Sequence, residues 1–153
     1  MAEREILFRG KRTDNGEWVE GDIHKNTEFS KAHIHPNGER VMSFEIIPET
    51  VGQFTGLKDK NGVRIFEGDI VRYGDTIHQV VFEQRNTTAY FGLVYSEIET
   101  MPFGHYQDLK QIEVIGNIHD NPELLETAAK PAAKNIAQSG LAPATENFEL
   151  MEV

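Results

Sequence analysis

The sequence predicts a mainly β protein: a small barrel-like or sandwich domain of short antiparallel strands, followed by a C-terminal helix and a polar tail. Three observations carry this expectation. Short runs of apolar, β-branched and aromatic residues recur along the first 120 positions. Turn formers separate them at Asp14-Asn15-Gly16, Pro36-Asn37-Gly38 and Asp59-Lys60-Asn61-Gly62. Helix signals are scarce before residue 120.

The elements follow in order. Glu5–Gly10 reads as a short opening strand. Asp14-Asn15-Gly16 then makes a hairpin turn of the kind that places both central residues at positive φ. Glu17–His24 returns and carries Trp18, the single tryptophan. Arg40–Ile47, Val51–Gly56 and Arg64–Tyr73 are the next strands, the last of them running through a central glycine. Thr76–Glu83, Ala89–Tyr95 and Ile112–Ile118 complete the set. Residues 1–120 form the β-rich domain on this reading, and 121–153 form a helix with an extended acidic tail. Asn121 is placed to cap that helix, with Pro122 in its first turn and Pro131 stopping it. Phe148, Leu150, Met151 and Val153 give the tail an apolar end.

A chain of 153 residues with 39% hydrophobic and 26% charged residues supports one folded domain with its own core. The net charge is −10, and residues 119–153 hold six acids against two lysines. Such acidity disfavours nucleic acid as a partner, because phosphate binding relies on lysine and arginine. The absence of cysteine excludes disulfides, thiolate metal sites and thiol catalysis. A charged start with no apolar run after it predicts neither a signal peptide nor a membrane span, and hence a cytoplasmic protein.

Chemistry is sparse. No nucleophile elbow, phosphate-binding loop or dinucleotide fingerprint is present, and no cofactor is expected. Two passages are alike: Asn15–Ile23 and Asn61–Ile70 each run from a tight turn through an apolar strand into Glu-Gly-Asp-Ile. The simpler reading is two hairpins that need the same bend at glycine. The chemical reading places Glu20, Asp22, Glu67 and Asp69 in one acidic site holding a divalent ion through oxygen ligands. His24, His33 and His35, with Asp22 or Glu28, are a second metal candidate, weighed against a polar strand with titrating histidines. His105 and His119 read as surface or loop residues. Arg4, Arg9, Lys11 and Arg12, with Trp18 nearby, form the best cationic cluster for single-stranded nucleic acid. Acids interleave with those cations, so a solvated mixed-charge hairpin accounts for them more simply.

Several ordered segments resemble the YopX family of phage and prophage proteins. They are Arg4–Arg12, Asp14–Gly21, Ile47–Gly62, Ile65–Val71 and Glu113–Leu125, so the resemblance spans residues 4 to 126. It implies a β-rich fold, a gene carried by a phage or prophage of a bacterium of the low-GC Gram-positive group, and assembly into a homo-oligomer. It implies no enzymatic activity and transfers no catalytic residues.

Three function classes follow. The leading one is a phage accessory protein acting by protein–protein interaction and self-assembly, through strand edges or the C-terminal segment, with a host or phage protein as a further partner. The alternatives are a small nucleic-acid-binding barrel and a metal-dependent enzyme using the acidic site.

Overall fold

The computed structural model describes residues 3–26, 31–36, 38–103 and 107–126. Among them, two antiparallel sheets pack in a sandwich-like arrangement. The first is ordered β4-β3-β2-β1-β5-β6. Its strands are β1 (Phe8–Lys11), β2 (Trp18–Asn26), β3 (Lys31–Pro36), β4 (Phe44–Ile46), β5 (Gly52–Lys58) and β6 (Arg64–Phe66). The second is ordered β10-β9-β8-β7-β11. It comprises β7 (Asp69–Tyr73), β8 (Thr76–Arg85), β9 (Thr88–Val94), β10 (Thr100–Pro102) and β11 (Ile112–Asn117). Single turns of 3₁₀ helix occupy Pro48–Thr50 and Leu109–Gln111, and residues 123–126 are helical.

The first sheet curls until its β4 edge meets the end of β1. Arg12 bridges Ile46, the Thr13 amide donates to the Glu45 carbonyl at 3.0 Å, and the Ile47 amide donates to the Lys11 carbonyl at 2.8 Å. β1 to β4 thus close around Ala32, Ile34 and Ile46, with Val19, Ile23 and Val51 packed on them. A second core of Ile65, Val71, Val80, Leu93 and Ile112 fills the space between β6 and the second sheet. Leu7, Phe54 and Phe66 form a third, smaller cluster. The barrel and sandwich expectations therefore both describe part of the molecule.

Asp59 ties the two sheets at one end. It is 7% exposed, and its Oδ1 accepts the Asn61 and Val63 amides at 2.8 and 2.9 Å, which folds the β5–β6 turn. Its Oδ2 accepts the Val114 amide at 2.9 Å, while the Lys60 amide donates to the Ile112 carbonyl at 2.9 Å. The outer edge of β11 is thereby occupied, as β4's is by residues 11–13. Covering edges in this way limits pairing with other chains.

The structure departs from the sequence expectations at definite places. The strand expected over Arg64–Tyr73 is two strands joined by a reversal at Gly68, whose φ of +93° suits glycine. Gly21, its counterpart in the repeated Glu-Gly-Asp-Ile, lies inside β2, and the His35 carbonyl occupies the space a Cβ would need. The two passages share a sequence and not a bend. Asn15 is not at positive φ; Gly16 alone turns, and the Asn15 side chain accepts the Glu17 amide at 2.9 Å, so the loop is wider than a two-residue turn. Asn121 does not direct its side chain at the helix. Its Oδ1 accepts the Asn117 amide at 3.3 Å and packs against Gly116, where β11 bulges. Strands β3 and β10 are additions. Residues 127–153, with the expected helix stop at Pro131 and the apolar tail end, lie outside the described residues, as do Glu28, Asn37 and His105.

Candidate functional site

Alternation and register bring the chemically capable residues together. In β1 and β2, Arg9 lies opposite Glu20 and Lys11 opposite Trp18, so these four share one face of the hairpin. That face meets the β6–β7 turn and the chain after β11.

Arg9 sits at the centre. Its guanidinium carbon lies 4.7 Å from the Trp18 ring centroid and 4.8 Å from that of Phe66. Its Nη2 is 2.7 Å from Asp69 Oδ1. Asp69 is 1% exposed, and its Oδ2 accepts the Phe66 amide at 2.7 Å, closing the turn it belongs to. Burial pushes the Asp69 carboxyl pKa upward; the Arg9 charge and the Phe66 amide pull it back without cancelling the rise.

Asp120 is the second anchor. It forms an ion pair with Lys11, and its Oδ2 accepts the Trp18 indole N–H at 2.7 Å and the Asn117 side-chain amide at 3.1 Å. Asn117 Oδ1 accepts the amides of His119 and Asp120 at 3.0 and 2.9 Å, which fixes this turn. The His119 ring lies 5.8 Å from that of Trp18. Burial and the charges of Arg9 and Lys11 push the His119 pKa down. The Ile118 amide donates to the Gly68 carbonyl at 2.9 Å, joining this turn to the β6–β7 reversal. The residues Asn117–Asn121 therefore clasp the first hairpin, about a hundred positions earlier in the chain.

Partial burial opposes ionisation of Asp120, but hydrogen bonds from Lys11, Trp18 and Asn117 and the Lys11 charge hold its pKa down to about 2. A carboxyl held below its ordinary 3.8 adds stability that is fully present above that value and is lost as pH falls through about 2. Trp18 is the single tryptophan, so its fluorescence reports the clasp directly. An acid titration is expected to show a Trp18 transition near pH 2 that is missing in Asp120→Asn; an identical profile in the two proteins would contradict the assignment.

The remaining sequence candidates distribute as follows. Arg9, Lys11 and Arg12 each face an acid: Asp69, Asp120 and Asp14. Arg4 is exposed at the start of the described chain. Glu20 lies 3.8 Å from Arg64 and shares a depression of about 360 Å³ with Arg9 and Asp69. Glu67 borders a different depression of about 240 Å³, and Asp22 is exposed on β2 opposite His35. His24 and His33 are cross-strand partners. Among the described residues, no group of three or more histidines and carboxylates is disposed to hold a metal ion.

Three residues at these sites were missed from the sequence. Asp120 carries no site role in the sequence expectations, which count it only among the acids of residues 119–153 and within the segment Glu113–Leu125. Lys58 and Arg64, which line the larger depression, are register partners across the β5–β6 hairpin. Their near-symmetric spacing about the Asp59–Gly62 turn was the available signal.

No curated protein matches the chain. Among solved structures, the crystal structure of protein EF1440 from Enterococcus faecalis is similar at 27% identity, covering 80% of this chain and 99% of that one, with a TM-score of 0.47. The family described as YopX protein matches residues 7–126, which include the Arg9–Asp69 pair, Trp18, the Asp59 turn and the Asn117–Asn121 clasp. On that match, the chain belongs to the YopX family of phage and prophage proteins.

Proposed function

We propose that the protein is a phage or prophage accessory protein of the bacterial cytoplasm that works by binding and assembles with copies of itself. The observation that carries this is the inner face of β8 and β9. Val80 and Leu93 are paired across these strands and are fully buried. Two residues further along, the same face continues into Phe82, which packs on Phe91 at 5.1 Å between centroids and remains 47% exposed. The core row thus runs out past the cover of the first sheet. Next to it lies the depression of about 240 Å³, where Val51, Val80, Phe82 and Ile118 supply apolar wall.

An apolar surface continuous with a core is the kind that a second molecule covers. Self-assembly through this face fits the structure better than pairing of strand edges, since the β4 and β11 edges are occupied. β6 and β10 are three residues long, and β10 ends in Pro102, so they offer little to a partner strand. Among the described residues, no helix is long and apolar enough to cross a membrane.

Sedimentation of the wild type beside Phe82→Glu tests the reading. The variant is expected to sediment as a smaller species with an unchanged far-ultraviolet spectrum, because half-exposed Phe82 can accept a charge in the monomer. Identical sedimentation of both proteins as oligomers would place the interface elsewhere, and as monomers it would contradict self-assembly.

A further inference from the structure

The depression of about 360 Å³ between β1, β5, β6 and β7 is lined by a cation, Lys58, that none of its acids pairs with. Arg9, Lys58 and Arg64 line it, against Glu20 and Asp69. Arg64 reaches Glu5 at 3.0 Å and Glu20 at 3.8 Å through its two Nη atoms, leaving its buried Nε without a hydrogen-bond partner. The Arg9 Nε is in the same condition, and its Nη2 contact with Asp69 is an ion pair without directed hydrogen-bond geometry. Buried donors left unmatched are costly, and most proteins avoid them.

Two further features add to that cost. Lys58 and Arg64 are direct cross-strand partners, and like charges placed opposite one another destabilise a sheet. Lys58 has no acidic partner among the described residues. The pairing depends on a register shift between Phe54 and Lys58, where Thr55 bonds the Ile65 carbonyl at 2.8 Å and Gly56 takes a φ of +88°. Without the shift, Lys58 would not face Arg64. Bulges that re-aim a side chain are a recurrent device beside binding sites.

We propose that this depression is a binding site for a carboxylate-bearing small ligand, held by Arg64 and Lys58 with Arg9 at its base. An anion there gives Lys58 the partner it lacks and relieves the Lys58–Arg64 repulsion. Charge selects among anions. Arg9 is held by Asp69 and Arg64 by Glu5 and Glu20, so Lys58 is the lining cation that no acid among the described residues pairs with; a monoanionic carboxylate matches that single charge and a dianionic phosphate exceeds it. The flat, forked arginine head also matches a carboxylate. This site is separate from the Phe82 face, and either can exist without the other.

The test is an amide NMR titration of the full chain with acetate, repeated with inorganic phosphate and with chloride at matched ionic strength. Acetate is expected to shift the Val63, Arg64 and Val114 amides along a saturable curve, with chloride leaving them in place. Lys58→Ala is expected to weaken acetate binding about tenfold, the scale of one charge-assisted hydrogen bond. The same variant is expected to melt no lower than the wild type, because the repulsion is gone; a lysine kept only for structure would lower the melting temperature instead. Absence of saturation up to about 0.1 M acetate would overturn the proposal, since that bounds the affinity below any useful range. Unchanged acetate affinity in Lys58→Ala, or tighter binding of phosphate than acetate, would overturn it equally.

Discussion

Asp69→Ala is expected to destabilise the protein by about 3–5 kcal/mol, the range found when one partner of a buried ion pair is removed. The loss has two parts. Arg9, whose side chain is 12% exposed, is left between Trp18 and Phe66 with no counter-charge, and the Phe66 amide loses its acceptor inside the β6–β7 turn. Asp69→Asn keeps an acceptor for the amide while removing the charge, so its cost is expected to fall between those of the wild type and the alanine variant. Urea unfolding of the three proteins checks this order. A loss below about 1 kcal/mol for Asp69→Ala would show that the pair is not the buried anchor described, since that is the scale of an exposed ion pair.

Phe66→Ala is the second large effect, expected at about 3–5 kcal/mol for removal of a fully buried aromatic. Phe66 is 2% exposed, and its ring lies 5.5 Å from that of Phe54 and beneath the Arg9 guanidinium. The cavity opens where the third core cluster meets the Arg9–Asp69 pair. The two substitutions share Arg9 as a partner, so the double variant is expected to lose less than the sum of the single losses. Strict additivity in urea unfolding would contradict a common anchor at Arg9.

These expectations show which part of the sequence was readable. Most strands were legible because local signals decide them: β-branched runs bounded by Asn-Gly turns, as in Val51–Gly62, need nothing distant to be recognised. β3 and β10 were harder. Lys31–Pro36 carries two histidines and ends in proline, and Thr100–Pro102 is three residues long, so pairing partners rather than local preference make them strands. The Glu-Gly-Asp-Ile repeat misled for the same reason. Its first copy pairs on both sides within β2 and runs straight through Gly21, whereas the second has Asp69 accepting the Phe66 amide and reverses at Gly68. Identical local sequence met different neighbours.

The same limit applied to chemistry. Arg9, Lys11 and Trp18 were visible as a cluster, but their partners Asp69 and Asp120 are remote in sequence, and only the closed fold brings them together. Residues that could have met phosphate are engaged in holding the hairpin to the rest of the molecule. Glu20 and Asp69 line one depression, yet each faces an arginine there.

The solution mass of the full chain, measured by light scattering over a dilution series, addresses the interaction reading most directly. A whole-number multiple of the chain mass, falling toward the monomer only on dilution, is the expected result for a protein that covers its Phe82 face with a second copy. A monomer at every concentration would contradict self-assembly and leave that face to a different partner.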